Sequence, residues 1–117
     1  MEENQFSRRA VDGVTVVIAG GDIDIASVHR FKAFLENSAD PDGAGLVLDM
    51  TSVSYLDSRA IATLAEFSSR VRVARQRLAL VADENGIAAK LLYITGLAAV
   101  IPIFSGLAPA VEEIRRT

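Results

Sequence analysis

Leu46-Val47-Leu48-Asp49-Met50-Thr51-Ser52-Val53-Ser54-Tyr55-Leu56-Asp57-Ser58-Arg59-Ala60-Ile61 carries the chain from one periodicity into another. Leu46 to Met50 is a short apolar run of the kind found in a central strand. After Thr51-Ser52 an apolar pair, Tyr55-Leu56, precedes Asp57-Ser58. From there Ile61, Leu64, Ala65, Ser68 and Val71 recur on one face of a helix. Arg70, Arg72 and Arg75 gather at its far end, where cations suit the negative pole of the helix. This stretch is therefore a strand feeding directly into a helix.

The same alternation extends in both directions. Upstream, Phe6 to Val11 and Val14 to Ala19 are strand-like runs separated by Asp12-Gly13, which predicts a type I′ hairpin. Gly20-Gly21-Asp22 is expected to end the second strand. A helix starting near Ile25 is expected to turn Val28, Phe31 and Leu35 inward, and Ser38 to Gly43 supplies a loop-like cluster. Downstream, Leu78 to Val81 reads as a strand. Asp83 or Glu84 is expected to open a third helix with Ile87, Leu91 and Ile94 inward and Gly96 as its stop. Val100 to Phe104 reads as a last strand, and Leu107, Val111 and Ile114 as a closing helix with Pro109 in its first turn. The order ββ-α-β-α-β-α-β-α predicts an α/β fold with one largely parallel or mixed sheet.

Composition narrows the chemistry. The 117 residues, half of them apolar, suit one globular domain over 1–117 that can bury a core without covalent staples. The absence of cysteine excludes disulfides, thiolate nucleophiles and Cys-type zinc sites. Twelve basic against fifteen acidic residues leave a net charge of −3, which disfavours direct nucleic-acid binding driven by bulk charge. A single histidine, His29, cannot build a multi-His metal site and is expected to lie exposed on the first helix. Leu91 to Val111 lacks charge over a length that could span a bilayer, but Gly96, Pro102, Gly106 and Pro109 cut it into short elements. It reads as a buried core segment. With no apolar leader at the N-terminus, a cytoplasmic location without membrane association is expected.

Two segments could carry function. Asp57-Ser58 falls at the C-terminal end of a strand and the start of a helix, where sites in open α/β sheets tend to lie. A phosphate there is electrostatically plausible, although either residue could simply be an N-cap. Gly20-Gly21-Asp22-Ile23-Asp24 places two carboxylates at another strand–helix junction. They could bind a cation or form an acidic docking surface, but capping by Asp24 is the stronger reading in isolation. The arginines from 70 to 77 read as a solvated helix end and Arg8-Arg9 as a surface pair. No phosphate loop is present, and Ser58 has no evident activating base. No enzymatic activity, cofactor or metal is expected.

These segments carry a resemblance. Leu48-Asp49-Met50-Thr51-Ser52-Val53-Ser54-Tyr55-Leu56-Asp57-Ser58-Arg59-Ala60 resembles the pattern L-D-[LM]-x-x-[VL]-x-[FY]-[ILM]-D-S-[ST]-G of STAS domains, the family of bacterial anti-sigma factor antagonists. Gly21-Asp22-Ile23-Asp24 is similar to the family's G-[ED]-[LI]-D. Leu92-Tyr93-Ile94-Thr95-Gly96-Leu97 with Val100-Ile101-Pro102-Ile103-Phe104 is similar to its C-terminal segment. The resemblance implies a mixed sheet with an N-terminal hairpin and about four helices mostly packed on one side.

It also implies partner switching. The unphosphorylated protein would bind an anti-sigma factor with serine kinase activity and free the sigma factor. Phosphorylation at Ser58 would end binding, and a phosphatase would reset it. Asp22, Asp24, Asp57, Ser58 and Arg59 are the implied partner-binding residues. The departure lies at Arg59-Ala60, where the family usually has Ser or Thr and then Gly. The other reading is a STAS-type ligand-binding or accessory subunit without a phospho-switch, associated with a stress-sensing complex or with nucleotide or lipid transport. A monomer or weak dimer is expected, the hairpin offering an exposed edge strand.

Overall fold

A computed structural model describes residues 5–116. Its elements follow the expected order: β1 (Phe6–Val11), β2 (Val14–Ile23), α1 (Val28–Ser38), β3 (Gly45–Leu56), α2 (Ser58–Val73), β4 (Arg77–Val81), α3 (Ile87–Ile94), β5 (Ile103–Phe104) and α4 (Leu107–Arg115). One turn of 3-10 helix, Leu97–Ala99, follows α3. Asp12 and Gly13 take φ of 51° and 81°, both positive as a type I′ turn requires.

The sheet runs β1-β2-β3-β4-β5, with β1 antiparallel to β2 and the remaining neighbours parallel. This order places the helices. Each step from β2 to β5 moves in the same direction, so right-handed crossovers put α1, α2 and α3 on one face. There Phe31 and Leu35 of α1, Leu64 and Phe67 of α2, and Leu92 of α3 close over Val17, Leu48, Met50 and Leu80. No strand follows α4 among the described residues, and it packs alone on the other face. Its Ala110, Val111 and Ile114 cover Val14, Val16, Val47, Ala79 and Val81. With both faces covered, Leu46-Val47-Leu48 is buried without alternation.

The structure corrects several expected boundaries. β2 does not stop at Gly20-Gly21-Asp22 but runs to Ile23, and α1 starts at Val28 rather than near Ile25. The residues between form a turn in which Asp24 O accepts the N–H of Ser27 and Val28. β3 continues past Met50 to Leu56. Its pairing with β2 shifts twice, Asp49 to Ser52 lying against Ile18 to Gly20, and Val53 to Tyr55 against Gly21 to Asp22. Each shift inserts an extra β3 residue, and each flips the following side chains. Met50, Val53 and Leu56 consequently all point inward at intervals of three. Asp49 Oδ1 takes the Thr51 amide at 3.0 Å and its hydroxyl at 2.8 Å at the first irregularity.

The last parallel strand is only Ile103–Phe104, not Val100 to Phe104, because Leu97 to Ala99 form the 3-10 turn and Val100, which caps it, is exposed. α3 starts at Ile87, after a turn closed by Gly86 N–H on Asp83 O, instead of at Asp83 or Glu84. Its expected face is turned around. Ala88, Ala89 and Leu92 are buried, Leu91 is half-buried, and Ile87 and Ile94 are exposed, Ile94 to 80%. Arg8 is more than a surface residue: it donates to Asn37 O and Ser38 Oγ and lies over the Phe34 ring, fastening β1 to the end of α1. The arginines from 70 to 77 divide likewise. Arg70 pairs with Glu36, and Arg77 donates to backbone carbonyls of Glu113 and Arg116. His29 is exposed on α1 as expected.

Candidate functional site

The two candidate segments meet where the parallel strands end. Side by side, β2 and β3 pair Asp22 with Tyr55 and Ile23 with Leu56, and the Asp57 amide donates to Ile23 O at 3.1 Å. Asp22 and Asp24 thus stand beside Asp57, Ser58 and Arg59, although 33 to 37 positions separate the residues of one group from those of the other in the numbering.

Asp57 is the N-cap of α2. Its Oδ1 accepts the Arg59 amide at 2.9 Å and the Ala60 amide at 3.0 Å, and its carbonyl accepts from Ile61 N–H at 3.0 Å. This resolves the choice between Asp57 and Ser58 as cap. Ser58 is left as the first helical residue, exposed, its hydroxyl making no hydrogen bond among the described residues. Such a hydroxyl is accessible to a second protein. Arg59 is exposed as well, and its guanidinium has no hydrogen bond or ion pair among the described residues. Ala60 is fully buried against the core, so the helix start is anchored from within.

On the neighbouring turn, Asp24 Oδ1 accepts the Ala26 amide at 3.0 Å. Ser27, buried, donates its hydroxyl to Asp22 O at 3.0 Å and accepts the Asp24 amide at 3.1 Å. Asp24 therefore shapes the turn before α1 instead of capping the helix itself, whose N-cap position is Ser27. Gly21, with φ of 69°, gives β2 the backbone freedom used at the second register shift. Gln5 completes the frame: its Nε2 donates to Asp22 O at 2.7 Å, and its Oε1 accepts from Arg30 at 2.6 Å.

Two apolar side chains missed by the sequence reading flank these acids. Tyr55 is 47% exposed and Ile25 63%. Both lie beside the charged residues in the chain, and only exposure distinguishes them from core positions. The site is an open surface with acids, a free hydroxyl, one arginine and two apolar contacts, which is the make-up of a docking surface. Among the described residues no group of three His, Asp or Glu side chains is arranged to hold a metal, and no helix is long and apolar enough to cross a membrane.

Comparison with known proteins places this geometry. The family model described as STAS domain matches residues 5–110. An anti-sigma factor antagonist from Mycobacterium paratuberculosis is similar in structure, with a TM-score of 0.83 at 23% identity, covering 94% of this chain and 92% of that one. The Bacillus cell fate determinant SpoIIAA in its phosphorylated form superposes with a TM-score of 0.67 at 15% identity over 94% of this chain and 99% of that one. The murine anion transporter Slc26a9 also matches, with a TM-score of 0.73 at 21% identity over 93% of this chain but 19% of the transporter. No curated protein matches the sequence.

Proposed function

As the chain belongs to the STAS-domain family, we propose that it is an anti-sigma factor antagonist switched at Ser58. Unphosphorylated, it binds an anti-sigma factor with serine kinase activity and so frees the sigma factor. The kinase supplies ATP and the base: Ser58 Oγ attacks the γ-phosphorus, the bond to ADP breaks, and the hydroxyl proton passes to the kinase. A phosphatase later removes the phosphate by hydrolysis. This chain is substrate and ligand, not enzyme, and it acts in the cytoplasm.

The observation that carries the reading is the pairing of β2 with β3, which sets an exposed, unbonded Ser58 hydroxyl beside Asp22, Asp24 and Asp57. Phosphorylation adds a charge of about −1.5 to −2 there. Repulsion and desolvation then act on any complex made through this surface. A loss of ~3 kcal/mol weakens binding roughly 150-fold, enough for a switch.

A STAS-type accessory or ligand-binding module without a phospho-switch is the second reading, favoured by the transporter among the structural neighbours. One experiment separates the two. Wild type, Ser58→Ala and Ser58→Asp are used as baits in lysate of the encoding organism. Wild type and Ser58→Ala are expected to retain a kinase-like anti-sigma factor that Ser58→Asp loses. Retention of the same partner by all three baits overturns the switch.

A further inference from the structure

We infer that Arg59 is the receptor for the phosphate of phosphorylated Ser58, so that modification adds an anion to the docking surface and withdraws a cation from it in one event. The inference rests on the reading of Ser58 as the acceptor. The start of α2 is not itself the anion site, because Asp57 already takes the N–H groups of Arg59, Ala60 and Ile61. The amide of Ser58 is left as the one backbone donor at this helix start without an acceptor among the described residues, so a phosphate on Ser58 must find its further donors on a side chain.

Arg59 is placed for that task. It is exposed, carries no partner among the described residues, and sits at the second position of α2, where a cation opposes the helix dipole. No side chain among the described residues bonds or pairs with its guanidinium. Among the described residues, the acids at this end of the sheet are Asp22, Asp24 and Asp57, with Asp83 and Glu84 beyond β4, and all of them repel a phosphate. On the flanking helices the titratable or basic groups are His29, Arg30, Lys32 and Glu36 of α1 and Lys90 and Tyr93 of α3. Arg30 is held by Gln5 Oε1 and Lys32 pairs with Glu66. A planar guanidinium one residue from the phosphate can give it two N–H bonds.

Phosphoserine installed at position 58 during synthesis tests the pair without any kinase, its second ionisation being followed by phosphorus NMR. The acids alone push that ionisation above its ordinary value near 6, and Arg59 pulls it down. The midpoint in wild type is expected about half a pH unit below that in Arg59→Gln. Arg59→Lys should fall between them, and the difference should shrink in molar salt. Equal midpoints in wild type and Arg59→Gln overturn the inference. Because the phosphate is supplied independently, that failure is distinct from failure of the switch, which the Ser58→Asp bait reads.

Discussion

Asp57 caps α2 and, in the proposed function, also lends its charge to the docking surface, and the two roles separate by substitution. As N-cap it satisfies two amides, so Asp57→Ala should cost about 1 kcal/mol, seen as a fall of about 4 °C in the thermal midpoint. Asparagine caps as well as aspartate. Asp57→Asn should therefore melt close to wild type while lacking the charge at the docking surface, and any change in partner affinity then belongs to the charge. Gly45 is a different kind of residue. Its φ is 142°, and a Cβ there would lie 1.9 Å from Arg77 O, against the backbone that pairs β3 with β4. Gly45→Ala should destabilise by about 3 kcal/mol, measured by urea titration. That a cap falls at Asp57-Ser58 was legible because its acceptor and donors are neighbours in the chain, whereas the structure decided that Asp57 supplies it. The Gly45 contact was not, because the atom it avoids is 32 positions away in the numbering.

Among the elements, α3 shows where periodicity misleads. Ile87, Leu91 and Ile94 form a stripe of large apolar residues, and the rule that such a stripe faces the core predicts them inward. Ala88, Ala89 and Leu92 form the buried face instead. The alanines let the helix lie close to the sheet, so small residues do the packing and two isoleucines remain outside. Leu92→Ala should cost about 2–5 kcal/mol, whereas Ile94→Ser should change stability by no more than about 0.5 kcal/mol; chemical denaturation of the two variants measures the contrast. β3 misleads in the opposite sense. Two register shifts space its inward residues by three, as Met50, Val53 and Leu56, which erases strand alternation from the sequence and hides the strand's second half. That second half carries Tyr55 and ends at Leu56, directly before Asp57, so the bulged strand aims the site.

The whole molecule is two unequal cores on one sheet. Three helices cover one face, and α4 alone seals the other. α4 is therefore structural despite its place near the end of the described chain. Ile114, 2% exposed among Val14, Val47 and Val81, should cost about 2 kcal/mol or more when cut to Ala, and the loss should appear in global unfolding by urea, not as local fraying. The Asp-Gly hairpin, the buried Leu46-Val47-Leu48 strand, the inward stripe of α2 and the alternating element order were all determined by the sequence itself. Each depends on residues within one element, where side-chain size, backbone preference and capping act locally. Only the tertiary structure decided which face of α3 is buried, how far β2 and β3 extend, and that Asp22 and Asp24 stand beside Ser58. Those outcomes depend on strands and helices distant in sequence competing for one sheet, and no local pattern encodes the result of that competition.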